Sequence, residues 1–142
     1  MVAVPALDWA HETVLAADPV SASQARDFVC LHLNAHHLPH LVEDMRLVVS
    51  ELATNAVTHA QTPFLVTLAK EDGSVRLMVQ DQSTSVPVMG HPDLLDMGGR
   101  GLILVEPLSE DWGTSTDGDG VKSVWASFPS RQPDPTLPRR SV

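Results

Sequence analysis

The chain has 142 residues, 43% hydrophobic and 19% charged, a balance that suits one globular domain with a proper core. Eighteen acidic residues against nine Lys and Arg give a formal net charge of -9. That balance argues against a nucleic-acid partner, whose phosphates need clustered cations, and against an anionic membrane surface. The single cysteine, Cys30, excludes an internal disulfide and fits a reducing cytoplasm; it falls in an apolar helical stretch and reads as core. No apolar run reaches the roughly 18 residues of a membrane helix. The N-terminal stretch carries Asp8, His11 and Glu12 and lacks the basic region of a signal peptide, so a cytoplasmic location is expected.

Residues 1–12 show little pattern and read as a frayed segment or a short edge element. Thr13 to Ala16 is a short strand candidate ended by Asp18-Pro19. Ser21 can cap a helix that begins near Ser23 and runs to about His36, with Ala22, Ala25, Phe28, Val29 and Leu33 turned inward. Leu38-Pro39 breaks it. A long helix from Leu41 to Ala60 follows, with Leu41, Met45, Val48, Val49, Leu52, Ala53 and Ala56 at helical spacing, and Gln61-Thr62-Pro63 ends it. Strands are expected over residues 64–70 and 74–80, joined by the hairpin signal Glu71-Asp72-Gly73. From Gln82 to Arg100 two prolines and three glycines mark a long loop, of the length that usually serves a function. Residues 101–108 read as a helix entered through Gly98-Gly99-Arg100-Gly101, and a last strand pair spans 110–113 and 121–128. The tail at 129–142 is rich in proline and arginine and is expected to be disordered. Helices first, then an antiparallel-looking set of strands, predict an α+β two-layer sandwich of helices on a mixed, mainly antiparallel sheet.

Within the long helix, Glu51 and Asn55 stand four residues apart and share one stripe. At about 100° per residue that stripe lies beside the apolar face. A carboxylate and an amide at the rim of a core look into a cleft, where a metal or a nucleophile can be handled. Asn is also a poor mid-helix residue, which makes its place here informative. Asp81 stands at the exit of the second hairpin strand, and Gly99-x-Gly101 opens a helix after the long loop.

Glu51-Leu-x-x-Asn55-Ala-x-x-His59-Ala, Gly99-Arg-Gly101-Leu-x-Leu-Val and Val124-Trp125 together resemble the GHKL (Bergerat-fold) ATP-binding domain of histidine kinases, gyrase-type ATPases and anti-sigma-factor serine kinases. The likeness is strongest to the last branch, the stand-alone kinases of partner-switching pathways, and spans residues 13–128. It implies that Asn55 is a Mg²⁺ ligand. An amide oxygen suits that hard cation, which keeps waters and phosphate oxygens as its other ligands. By the same likeness Glu51 is the general base that activates the attacking group, a substrate serine hydroxyl in the kinases or a water in the ATPases, and Asp81 accepts from the adenine amine. Gly99, Arg100, Gly101 and Leu102 form the phosphate-binding turn, and Ser123 offers a hydroxyl on the adenine side. Phosphoryl transfer depends on alignment and charge stabilisation, so one base and one metal can suffice.

The resemblance further implies ATP and Mg²⁺ as cofactors, an anti-sigma-factor antagonist and a sigma factor as partners, and a homodimer. Many family members carry glycine at the second and fourth places after the adenine aspartate; here these are Ser83 and Ser85, which reshapes the pocket. Two other readings stand beside the kinase: a non-catalytic regulatory module and an ATP hydrolase. His32 and His36 share a helical face near His37 and His40, but a zinc site there would need further ligands, and Pro39 interrupts the helix. His59, one turn past Asn55, reads as a hydrogen-bonding residue near the cleft or the helix end. Trp9, Trp112 and Trp125 read as core or partner surface.

Overall fold

The computed structural model describes residues 7–81, 109–116 and 120–131. Strand β1 (Leu7–Leu15) leads to helix α1 (Val20–Ala35), then to a single 3-10 turn (Pro39–Leu41) and helix α2 (Val42–Asn55), whose end widens into a π-helical turn (Ala56–Ala60). Strands β2 (Phe64–Glu71), β3 (Ser74–Asp81), β4 (Asp111–Thr116) and β5 (Lys122–Pro129) complete one five-stranded sheet in the order β1-β2-β3-β5-β4. Every pairing among the described strands is antiparallel, so the sheet is not mixed there. The α+β two-layer architecture is as the sequence predicts.

The first strand is longer than expected. It pairs with β2 along its whole length, with a register shift between Leu7 and Trp9. At that shift Asp8 meets Lys70 at 2.6 Å. Trp9, His11, Thr13 and Leu15 are half-buried and alternate with exposed neighbours, a two-residue period hidden because half of its inward members are polar. Helix α1 also starts early. Pro19 is its N-cap, without a side-chain cap hydrogen bond; Asp18 just before it accepts from the Val20 amide at 2.9 Å, and Ser21, expected as the cap, is buried and donates instead to the Ala16 carbonyl at 2.7 Å.

The stretch expected as one helix from Leu41 to Ala60 is three pieces, and it stops at Gln61 in the left-handed region (φ 55°) before Pro63. The β2–β3 hairpin turns through Asp72 (φ 50°) and Gly73 (φ 80°). That pair of positive φ values is what a two-residue turn matching the strand twist requires.

Both helices pack on one face of the sheet. The core between them gathers Val29 and Leu33 of α1, Met45, Val48 and Val49 of α2, and Leu68, Leu77 and Phe128 of the sheet, all essentially inaccessible. Cys30 is half-buried, not core, because its α1 position lies beside the inward stripe of Ala25, Val29 and Leu33. Trp9 and Trp112 pack against the core from its edges. Trp125 lies beneath the Arg76 guanidinium, 4.4 Å from its ring centroid, and fits so closely over Gly113 that a Cβ there would come within 2.7 Å of its ring. The predicted helix at 101–108, the loop at 82–100 and most of the tail lie outside the described residues.

Candidate functional site

Glu51 and Asn55 occupy the last turn of α2, both half-buried, next to the fully packed Leu52, Ala53 and Ala56. Their stripe runs along the rim of the core, as the spacing predicts. Beyond Asn55 the helix widens into the π-helical turn, which packs against β3. Such single π turns often occur at functional sites. Only residues 61–63 separate this turn from Phe64, and Phe64 is the register partner of Asp81. The end of α2 and the end of β3 therefore meet at one corner of the fold.

Asp81 is 5% exposed and terminates β3 on the helix-facing side, in the same row as Val75, Leu77 and Val79. Two further polar atoms belong to this corner by chain position. His59 Nε2 on the π-helical turn and Thr62 Oγ1 just beyond it are buried, and neither has a hydrogen-bond partner. Buried polar atoms are nearly always paired, so these two orphans call for an explanation. A bound polar ligand is one.

Ser123 does not join this group. It sits across from Gln80 in the β3–β5 register and accepts a hydrogen bond from Gln80 Nε2 at 3.1 Å. Successive strand residues face opposite sides of a sheet, which puts Ser123 on the face away from Asp81. The residue that does stand across from Asp81 is Lys122, 6% exposed. Sequence reasoning passed over Lys122. The signal that could have found it was the antiparallel register, since pairing Ser74 with Pro129 fixes Asp81 against Lys122. Gly99, Arg100, Gly101 and Leu102 lie outside the described residues, as do Ser83 and Ser85.

A cavity of about 440 Å³ opens elsewhere, on the outer side of α1 and α2, bounded by Arg26, Pro39, Glu43, Arg46, Leu47 and Ser50. Arg26 donates to Ser50 Oγ at 2.9 Å across it. None of the predicted site residues lines it.

A second polar cluster joins β1 to α1. His11 and His36 share a hydrogen bond between their Nε2 atoms at 2.8 Å, one ring donating to the other. The Trp9 ring stacks on His36 and the His32 ring stacks on His11, each with centroids 3.9 Å apart. Partial burial lowers the pKa of His32, with added repulsion from His11 and His36; burial likewise lowers that of His36, with added repulsion from His11 and His37. His40 lies apart, bonded to the Ser130 carbonyl at 2.9 Å. Among the described residues no group of three or more His, Cys, Asp or Glu is arranged to hold a metal ion.

Residues 15–128 match the histidine kinase-like ATPase domain family. No curated protein sequence matches the chain. Among solved structures, the RsbU and RsbW domains of Rv1364c from Mycobacterium tuberculosis are similar, with a TM-score of 0.66 and 21% identity. The match covers 84% of this chain and 32% of that one. At that identity the likeness is one of fold, and this chain spans about a third of the protein it matches. With the Glu51–Asn55 stripe, the buried Asp81 and a family match over most of its length, the chain belongs to the histidine kinase-like ATPase domain family.

Proposed function

We propose that the chain is a protein serine/threonine kinase of the anti-sigma-factor type. It binds Mg-ATP at the α2–β3 corner and phosphorylates a serine on an anti-sigma-factor antagonist, which switches its hold on a sigma factor. One observation carries this reading: α2 holds a carboxylate and an amide on a single stripe at the corner where the buried Asp81 ends β3. The family match supports a nucleotide site. The shared fold with a structure that contains an RsbW domain supports the branch.

The residues present fit the ligand. The Asp81 carboxylate is an acceptor for the adenine amine, and the Asn55 amide oxygen is a hard ligand that adds no negative charge beside a triphosphate. His59 Nε2 and Thr62 Oγ1 offer unused hydrogen-bonding capacity at the same corner. Glu51 is the base that takes the proton of the acceptor hydroxyl, held one turn before the metal ligand. The family resemblance assigns the phosphates to Gly99, Arg100, Gly101 and Leu102. Bound Mg²⁺ supplies charge neutralisation on the phosphates. The working unit is residues 13–128, in the cytoplasm and as a homodimer.

The glycine-free run Gln82-Ser83-Thr84-Ser85 favours a second reading, a regulatory module that works by protein contact without transfer. Following ATP consumption with and without a serine-bearing antagonist separates the readings. A kinase consumes ATP in step with phosphoserine formed on the acceptor. A hydrolase consumes it with no acceptor present, and a binding module consumes none.

A further inference from the structure

Asp81 and Lys122 stand directly opposite each other in the β3–β5 ladder, 5% and 6% exposed. They close a row of otherwise apolar pairs on the helix-facing side: Val75 with Phe128, Leu77 with Ala126, and Val79 with Val124. Directly opposed residues of an antiparallel pair have Cβ atoms about 4.5–5.5 Å apart. A buried ammonium is costly unless it meets acceptors, and lysine offers donors only where a carboxylate offers acceptors only. The end of this sheet face therefore presents one acceptor and one donor side by side.

We infer that Lys122 is a specificity-determining residue for the nucleobase, its ammonium donating to a ring nitrogen beside the amine that Asp81 accepts from. This rests on the nucleotide site proposed above. Adenine carries its exocyclic amine, a donor, between the acceptors N1 and N7, so a neighbouring carboxylate and ammonium match an amine and the nitrogen next to it. Guanine carries a carbonyl oxygen where adenine has the amine. In the same pose that oxygen would face the Asp81 carboxylate, acceptor against acceptor, and binding would be opposed as well as unassisted. The pair thus selects adenine by attraction and rejects guanine by repulsion.

The test is calorimetric titration of the native chain and of Lys122→Met with ATP, GTP, 1-deaza-ATP and 7-deaza-ATP. The native chain should prefer ATP to GTP. It should also bind one of the two deaza analogues more weakly than ATP by about 10- to 100-fold, the size of a hydrogen bond to a charged donor. Which analogue loses affinity identifies N1 or N7 as the contacted atom. In Lys122→Met that analogue should bind as tightly as ATP, and the ATP-over-GTP preference should shrink. Equal affinity of the native chain for ATP and both analogues overturns the inference, and so does a variant that keeps the native penalty. The first comparison needs only the native chain, so a variant that fails to fold does not shield the inference. A native chain that binds ATP yet shows no analogue penalty leaves the kinase reading standing; one that binds no nucleotide removes the kinase reading and this inference together.

Discussion

The corner where α2 meets β3 and the edge where β1 meets α1 are both polar clusters set against an apolar core, and they differ in how their polar atoms are satisfied. At the β1 edge the groups satisfy one another: His11 bonds His36, Trp9 and His32 stack on them, and Lys70 reaches Asp8. At the corner, His59 Nε2 and Thr62 Oγ1 are buried without hydrogen-bond partners. A cluster that closes on itself holds two elements together. One that leaves buried capacity open offers it to a water or a ligand.

Mutations that separate chemistry from binding break this comparison most sharply. Glu51→Ala should lower phosphoryl transfer by roughly 10²- to 10⁴-fold, the usual contribution of a positioned base, with ATP affinity nearly unchanged. Phosphoserine formation at the native rate would remove Glu51 from the chemistry. Asn55→Ala should abolish the Mg²⁺ dependence of ATP binding; a titration that still differs between Mg²⁺ and EDTA contradicts its role as ligand. Neither change should alter the β1 edge, so the fluorescence of Trp9 in a chain lacking the other two tryptophans should stay as it is.

Changes to the frame sharpen the contrast by testing packing alone. Gly113→Ala places a Cβ within 2.7 Å of the Trp125 ring, an overpacking that should cost about 1–3 kcal/mol of stability in a urea titration. A loss confined to stability, with ATP binding retained, would show that this part of the sheet serves the fold. A smaller effect belongs to the histidines. The pKa values of His32 and His36 lie below the ordinary value of 6.5 in the folded state, so between those values and 6.5 the unfolded chain binds more protons. Stability from the pair is then present above pH 6.5 and declines as the pH falls through the lowered values. The urea midpoint should drop on acidification across that window, and the drop should shrink in the double variant His32→Gln, His36→Gln. An unchanged slope would mean that the cluster is not linked to folding.

The two regions were also unequally legible in the sequence. Glu51, Asn55 and Asp81 could be placed because helical spacing and a strand exit are local properties, read within a few residues. The hairpin at Asp72-Gly73 was legible for the same reason. What escaped was set by long-range pairing. The β1 strand was underestimated because its inward positions include His11 and Thr13, which no apolar alternation reveals until β2 and α1 cover them. That Lys122, and not Ser123, shares a face with Asp81 is not legible locally, because a one-residue difference in strand position changes the face and only the register with β3 decides it. The widening of α2 past Asn55 likewise had no signature in the periodicity, since Ala56 to Ala60 continues an acceptable helical pattern.

The central claim is that the α2–β3 corner holds a nucleotide. Its most direct test is a calorimetric titration of the native chain and of Asp81→Asn with ATP, each in Mg²⁺ and in EDTA. The account predicts binding to the native chain that depends on Mg²⁺ and weakens by at least about tenfold in the variant, as loss of a charge-assisted hydrogen bond requires. Absence of heat up to millimolar ATP, or equal binding by the two chains, would contradict it.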